Sequence, residues 1–327
     1  MKKTISSLLV SVLLLSSCSL FKKDPQESVD IGTKKLGEVQ RMASKFDIKG
    51  SVTMPPGEKL SSIRFNVTGE GKSDNSDMKN ISVDSHYGLS VDLDGKKGNV
   101  EVDVKTLDKS LFFRITDVKI ETKDGGNLGD QLKPLLAIWY KVPLQEGDAL
   151  QSLNSEQQKV RDKFKNTQFF INATEDGEEQ VQGMDAIRYR VDLNKNVIKD
   201  LILEFGRMTG NLVSPEEESA ITASLDDIDF SGAVWVADDK AIHRMQGTVT
   251  VQPPQGATTS FDFDYTLWDL GKRFTVTAPE GAQDFNPLVM LPLIGALGSL
   301  TPPAEPEVPV EEGAAIDDPL GAAQVTQ

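Results

Sequence analysis

Cysteine is almost absent. The 327 residues hold one, Cys18, so no disulfide, thiolate nucleophile or cysteine–zinc site is available to the rest of the chain. Histidine is nearly as scarce. His86 and His243 stand far apart, with no HxxxH or HExxH spacing, and zinc-dependent hydrolysis is not expected. No GxSxG turn marks a serine nucleophile, and no GKS/T phosphate loop or full calcium-loop pattern occurs. Positive charge is outnumbered, with 35 Lys and Arg against 50 Asp and Glu and a net charge of −15. Such a chain is expected to avoid nucleic acid and to repel anionic headgroups. No apolar run reaches the ~20 residues needed to span a bilayer as a helix.

What is present begins at the N-terminus. Met1-Lys2-Lys3-Thr4 is a short positive head, followed by the apolar run Ile5 to Leu15. The run fits a signal-peptide core of ~7–15 residues. It ends in Leu15-Ser16-Ser17-Cys18, which resembles a lipobox: an aliphatic residue, two small ones, then cysteine. The expectation is a signal peptide over 1–17, cleavage before Cys18 and acylation of its thiol. Loss of Lys2 and Lys3 takes the net charge from −15 to −17. Anchoring must then come from acyl chains rather than a basic patch, and two chains hold a protein stably where one does not. The expected location is the cell envelope, on the outer face of the plasma membrane or on an outer membrane. Ser19 after the cysteine favours the latter where one exists.

A lipidated polar tether is expected over 18–30 and a folded domain over 31–300. Residues 301–327 hold five prolines, six acids and no base, an acidic proline-rich composition that predicts disorder. The folded part is dominated by period-two alternation, the pattern of half-buried strands. Ile63-Arg64-Phe65-Asn66-Val67 alternates, as do Ile81 to Leu93, Val100 to Val104 and Leu111 to Ile115. Later strands are expected at Thr167–Ala173, Ile187–Leu193, Phe230–Val236, Ile242–Val251, Ser260–Leu267 and Phe274–Ala278. Helices are expected over 148–165, over Val197–Met208 and from Pro215 to about Leu225. Pro215 and the acids after it suit a helix N-terminus. The glycine-rich acidic stretch Gly69–Asp77 is read as a solvated hairpin turn. Helices segregated against an antiparallel sheet make the fold class α+β, and long strands with one apolar face favour a curved sheet.

Several stretches resemble the LolA/LolB-like lipoprotein-carrier superfamily, and more closely the LppX/LprG-type lipid-binding lipoproteins. They are Phe46–Val52, Trp139-Tyr140-Lys141-Val142, Gly183–Leu193, Gly232–Asp239 and Ala278–Ala282. The resemblance implies an open antiparallel half-barrel with helices covering its concave face. It implies a binding role without catalytic residues or cofactor, the cargo being a lipid or the acyl part of a lipoprotein. On that reading the candidate acyl-chain lining is Ile63, Phe65, Val67, Leu89, Val91, Phe113, Ile115, Tyr189, Val191, Phe263 and Tyr265. The alternative is a non-enzymatic surface interaction or sensor module on the same fold with a filled core and a protein partner. One departure from the family pattern is the uncharged stretch Pro287–Leu300. It is read as a cover packed over the sheet, a plug in the apolar cavity or a membrane-surface contact.

Overall fold

The computed structural model describes residues 24–77, 80–121, 129, 133–144, 167–208, 214–252 and 256–287. Cys18, the apolar stretch after Pro287, the 301–327 tail and the helix expected over 148–165 lie outside them.

The chain enters through helix α1, Pro25–Glu38. Its start is encoded locally. The Asp24 side chain accepts from the Gln26 N–H at 2.9 Å, Pro25 occupies the first turn, and Glu27 lies at the positive end of the helix dipole. The helix therefore begins within the stretch expected to be tether. Five strands follow in a meander: β1 (Arg41–Thr53), β2 (Ser62–Asp74), β3 (Ser82–Leu93), β4 (Lys96–Leu107) and β5 (Ser110–Ile120). A 3₁₀ turn at Lys133–Leu135 precedes β6 (Tyr140–Pro143). The second half has β7 (Phe170–Val181), β8 (Met184–Leu193), helices α2 (Lys195–Met208) and α3 (Pro215–Asp226), then β9 (Ile228–Ala237), β10 (Ile242–Val251), β11 (Thr258–Trp268) and the short β12 (Gln283–Asp284).

All twelve strands join one sheet in the order β12-β6-β5-β4-β3-β2-β1-β11-β10-β9-β8-β7. The two ends do not meet, so the fold is an α+β open half-barrel. Neighbours are antiparallel except the β12–β6 pair. Tight turns with two positive-φ residues, at Asp94-Gly95, Asp108-Lys109 and Gln182-Gly183, fit the sheet's right-handed twist.

Register assigns each strand residue a face, because cross-strand partners point to the same side. Phe46 pairs with Gly69 and Tyr265, Ile48 with Val67 and Phe263, and Gly50 with Phe65 and Phe261. Followed outward, the same side carries Val91, Leu89 and Tyr87, then Val100, Val102 and Val104, then Phe113, Ile115, Val118 and Ile120. In the other direction it carries Met245, Val249, Phe230, Val234, Tyr189 and Val191. The opposite side holds Lys45–Glu70, Lys105–Asp84, Arg114–Asp103 and Arg244–Asp264 ion pairs. One face is thus apolar over its whole width, and the other carries the ion pairs together with a small buried cluster of Ala186, Ala233, Trp235 and Ala237.

Aromatic rings lie over glycines on the apolar face. A Cβ added at Gly50 would stand 2.3 Å from the Phe65 ring, at Gly69 2.4 Å from Phe46, and at Gly232 2.4 Å from Phe230. Each ring occupies the space that a side chain at the glycine would need. This corrects the reading of Gly69–Asp77 as a turn. Strand β2 runs through to Asp74, and Gly69 is the floor beneath a ring. Bulges at Thr116 in β5, near Ala173 in β7 and at His243 in β10 add bend.

Among the described residues, helices and turns cover this face at its two ends. At one end, Val29 and Leu36 of α1 pack on Tyr189, Val191, Val234, Val236 and Ile242. A Cβ at Gly32 would come within 3.0 Å of Ile242, so the helix sits close to the sheet. At the other end, Leu135 and Leu136 pack over Ile115, Val118 and Ile120.

The strand expected at Phe274–Ala278 is not one. After β11 the chain runs as an extended strap without ladder pairing. The edges of β11 are taken by β1 and β10. The strap instead lies across the polar face, is tied by Gly271 N–H to Arg41 C=O at 2.8 Å, and rejoins the sheet where Gln283 N–H donates to Trp139 C=O at 2.8 Å. Val276 of the strap is buried.

Candidate functional site

The eleven lining candidates share the apolar face, but two environments divide them. Ile63, Phe65 and Val67 (β2), Leu89 and Val91 (β3), and Phe263 and Tyr265 (β11) gather in the middle, with Phe46 and Ile48 of β1 between them. Phe113, Ile115, Tyr189 and Val191 sit toward the covered ends. Ile115, Tyr189 and Val191 are at most 4% exposed, within the clusters beneath Leu135, Leu136 and α1. Phe113 joins a ring cluster with Tyr140 and Phe285, at 5.4 and 5.1 Å between centroids.

The middle of the face, called the trough here, is an apolar strip that the described residues leave uncovered. None of its large apolar side chains belongs to a buried cluster among the described residues. Leu89 is 43% exposed and Tyr87 37%, in the centre of the widest sheet surface. Phe46 lies between Tyr87 and Tyr265, at 6.3 and 6.4 Å, and Phe230 stacks on Phe263 at 6.3 Å. From Ile63 to Gly69 the trough runs about 20 Å along the strands. Sequence reasoning missed Phe46, Ile48 and Tyr87 as part of it. The signal was there: each occupies the same phase of the alternation as a residue chosen on the neighbouring strand.

Chemically the trough is bland. It offers apolar walls and aromatic faces, with the Tyr87 and Tyr265 hydroxyl groups as polar handles. Ionisable groups lie on the other face. There, Asp103 accepts from Arg114 and from His86 Nδ1 at 2.8 Å, and Arg114 stacks on Trp139 at 4.8 Å. Partial burial pushes the Asp103 carboxyl up, but the hydrogen bonds from Arg114 and His86 and the Arg114 charge outweigh it and hold it below the ordinary value. These residues line a cleft of about 1040 Å³ between the polar face and the strap, with Lys72, Asp84, Lys105 and Trp268. Ser85 neighbours His86 in sequence, but the alternation turns its side chain to the apolar face. It forms no serine–histidine–aspartate chain with His86 and Asp103.

His243 is buried. Its Nδ1 lies 3.0 Å from the Leu267 carbonyl and its Nε2 3.1 Å from Asp239 Oδ2. Lys35 of α1 donates to the Asp239 backbone carbonyl. The β9–β10 turn thereby ties the end of α1 to the sheet. Burial raises the Asp239 carboxyl, and the Ala241 N–H, His243 and the Lys35 charge together lower it further than burial raises it. Trp235 lies between Arg188 and Arg244, at 5.2 and 4.7 Å, and its indole N–H donates to Glu179. Both are structural uses of residues whose types also serve catalysis. Among the described residues no group of three or more His, Cys, Asp or Glu is placed to hold a metal ion. No helix among them is long and apolar enough to cross a membrane.

No protein-family model matches this chain, and no curated protein sequence matches it. Solved structures do. The lipoprotein LppX of Mycobacterium tuberculosis is similar at a TM-score of 0.30 and 10% identity, over 78% of this chain and 100% of that one. The MucA/MucB complex of Pseudomonas aeruginosa matches at 0.23 and 12% identity, over 80% of this chain and 64% of that one. A DUF1329 family protein from Desulfovibrio piger matches at 0.18 and 10% identity, over 77% and 96%. Likenesses this distant assign neither a function nor a site.

Proposed function

We propose that this protein is an exported lipoprotein, anchored to the cell envelope through acylated Cys18, that binds or carries a lipid acyl chain in the apolar trough. It acts as a binding protein rather than an enzyme. One observation carries the reading: an apolar face that the described residues cover at both ends and leave open over β3, β2, β1 and β11, with Leu89 and Tyr87 exposed at its centre. A sheet in water does not leave such a surface uncovered without a use for it. Burying ten methylenes there contributes about 8 kcal/mol before the costs of ordering the chain. The lipobox-like Leu15-Ser16-Ser17-Cys18 and the sequence resemblance to lipid-binding lipoproteins support the anchor and the cargo class.

Native mass spectrometry tests the reading. The chain from residue 18 onward, with Cys18→Ser to prevent acylation, is exported behind a cleavable signal peptide, purified from the soluble envelope fraction and sprayed intact. An added mass that extracts as lipid is expected, with uptake of a fluorescent fatty acid by the delipidated protein. No lipid together with no uptake refutes the reading and favours the interaction module with a filled core.

A further inference from the structure

The proposed anchor also fixes which end of the half-barrel meets the membrane. The sheet has two ends along its strands. One, called basal here, carries Thr53 and Ser62, Leu93 and Lys96, and Val251 and Thr258. The other, apical, carries Arg41, Asp74, Leu107, Ala237 and Trp268. Register places Leu193 and Phe170 at the basal end, since Val191 pairs with Gly232 and Phe170 with Leu193.

Helix α1 starts at that end. The Gln26 side chain donates to the Phe170 carbonyl at 2.8 Å and accepts from the Ala173 N–H at 3.1 Å, bonding the first turn to strand β7. Only six residue steps separate Asp24 from Cys18. Fully extended, they reach about 20 Å, half of the ~40 Å length of a thirteen-residue strand. The basal end is therefore leashed to the bilayer surface.

A second, independent observation lies at the same end. Helices α2 and α3 leave and re-enter the sheet there, after Leu193 and before Ile228. Lys195 donates to the Asp226 carbonyl at 3.2 Å, and Lys199 pairs with Glu218 at 3.2 Å, so the two helices are closed on each other. Leu203 is buried in α2, yet Ile202 beside it is 41% exposed. Ile198 stands one turn before Ile202 and shares its side of the helix. Farther along the same end, the rim at the β1–β2 loop, Pro55 to Lys59, is bound to the β3–β4 turn because Asp94 accepts from Ser61 N–H at 2.8 Å and Ser62 N–H at 2.9 Å. Glu58, Lys59, Asp94 and Lys97 give this rim both signs of charge, which suits zwitterionic headgroups.

We infer that the basal rim, with Ile202 of α2 and the Pro55–Lys59 loop, rests on the bilayer surface and turns the lower mouth of the trough toward lipid. The inference rests on the anchor proposed above. An acyl chain then enters the trough from the leaflet that holds the protein, without crossing water.

The acylated protein in phosphatidylcholine vesicles decides this. Glu58→Cys, Ile202→Cys and Lys272→Cys variants each carry one fluorophore, Cys18 being blocked by its thioether, and a nitroxide-headgroup lipid serves as quencher. Lys272 marks the apical end, about 40 Å away along the strands, so quenching at 58 and 202 is expected to exceed that at 272 by about threefold or more. Equal or reversed quenching in protein that floats with the vesicles overturns the inference and leaves the anchor standing. Protein that does not float overturns the anchor, and the inference with it. If Ile202→Cys does not fold, the comparison of 58 with 272 decides the question alone.

Discussion

The flat floor of the trough rests on glycine, and replacing Gly50 with alanine tests it. In an ordinary strand this change stabilises by about 0.5–1 kcal/mol, because glycine gives up more backbone freedom on folding. Gly50 is not an ordinary position. Its added Cβ would lie 2.3, 2.7 and 2.9 Å from Cζ, Cε1 and Cε2 of Phe65, inside the repulsive wall of every contact. The ring must swing off the floor, and overpacking of this kind costs about 1–3 kcal/mol. The net expectation is destabilisation of about 1–2 kcal/mol. In a Phe65→Ala background the obstruction is gone, and the same Gly50→Ala change should stabilise by about 0.5–1 kcal/mol. The coupling energy between the two positions is then about 2 kcal/mol, well above the error of additivity.

Urea midpoints at unchanged m-value measure all four members of the cycle. Gly37→Ala in α1 is the control, since nothing lies within 4 Å of an added Cβ there; it should stabilise by up to about 1 kcal/mol. Gly50→Ala that destabilises equally with and without Phe65, or that stabilises the wild type, refutes ring-over-glycine packing as the reason for the glycine. The displaced ring also carries a functional consequence. It would stand up into the trough, so fatty-acid uptake should fall in Gly50→Ala more than loss of folded protein accounts for.

Three further changes separate the faces. Leu89→Asp removes an exposed side chain and should alter stability by no more than about 0.5 kcal/mol, while weakening fatty-acid binding about tenfold, as titration of a fluorescent fatty acid would report. The Asp103 and Asp239 carboxyls sit below their ordinary value, so their stabilisation is complete above the unfolded-state value of about 3.9 and is lost as pH falls through the lower folded-state value. Asp103→Asn should therefore lower stability above about pH 4 and flatten the acid limb below it, and an unchanged acid limb would refute the role of Arg114 and His86. Trp235→Phe keeps a ring between Arg188 and Arg244 but leaves Glu179 without the indole donor; a loss of about 1–2 kcal/mol is expected by urea unfolding, with fatty-acid affinity unchanged because the residue lies on the polar face.

Alternation alone sorts the lining candidates onto one face, because the side-chain period of a strand is two and the bulges in β5, β7 and β10 fall outside the runs from which they were chosen. It places Ile63, Leu89 and Phe263 on one side without any knowledge of the sheet. It fails where the cause is not local. Phe274–Ala278 alternates like a strand, but β11 already has neighbours on both edges, so the segment becomes a strap. Gly69 and Gly71 look like a turn because turn and crowded floor both call for glycine; only the ring of Phe46 above Gly69 separates the two. The same limit governs the site. Ile115 and Val67 are aliphatic residues in the same phase of adjacent hairpins, and nothing in their surroundings in sequence tells them apart. Ile115 is core because Leu135 and Leu136 lie over it, and Val67 is trough because, among the described residues, no buried cluster forms around it. What makes an apolar strand face a binding surface is therefore not the strand but the incompleteness of its cover, a property of the helices and loops that cross it and of where they stop.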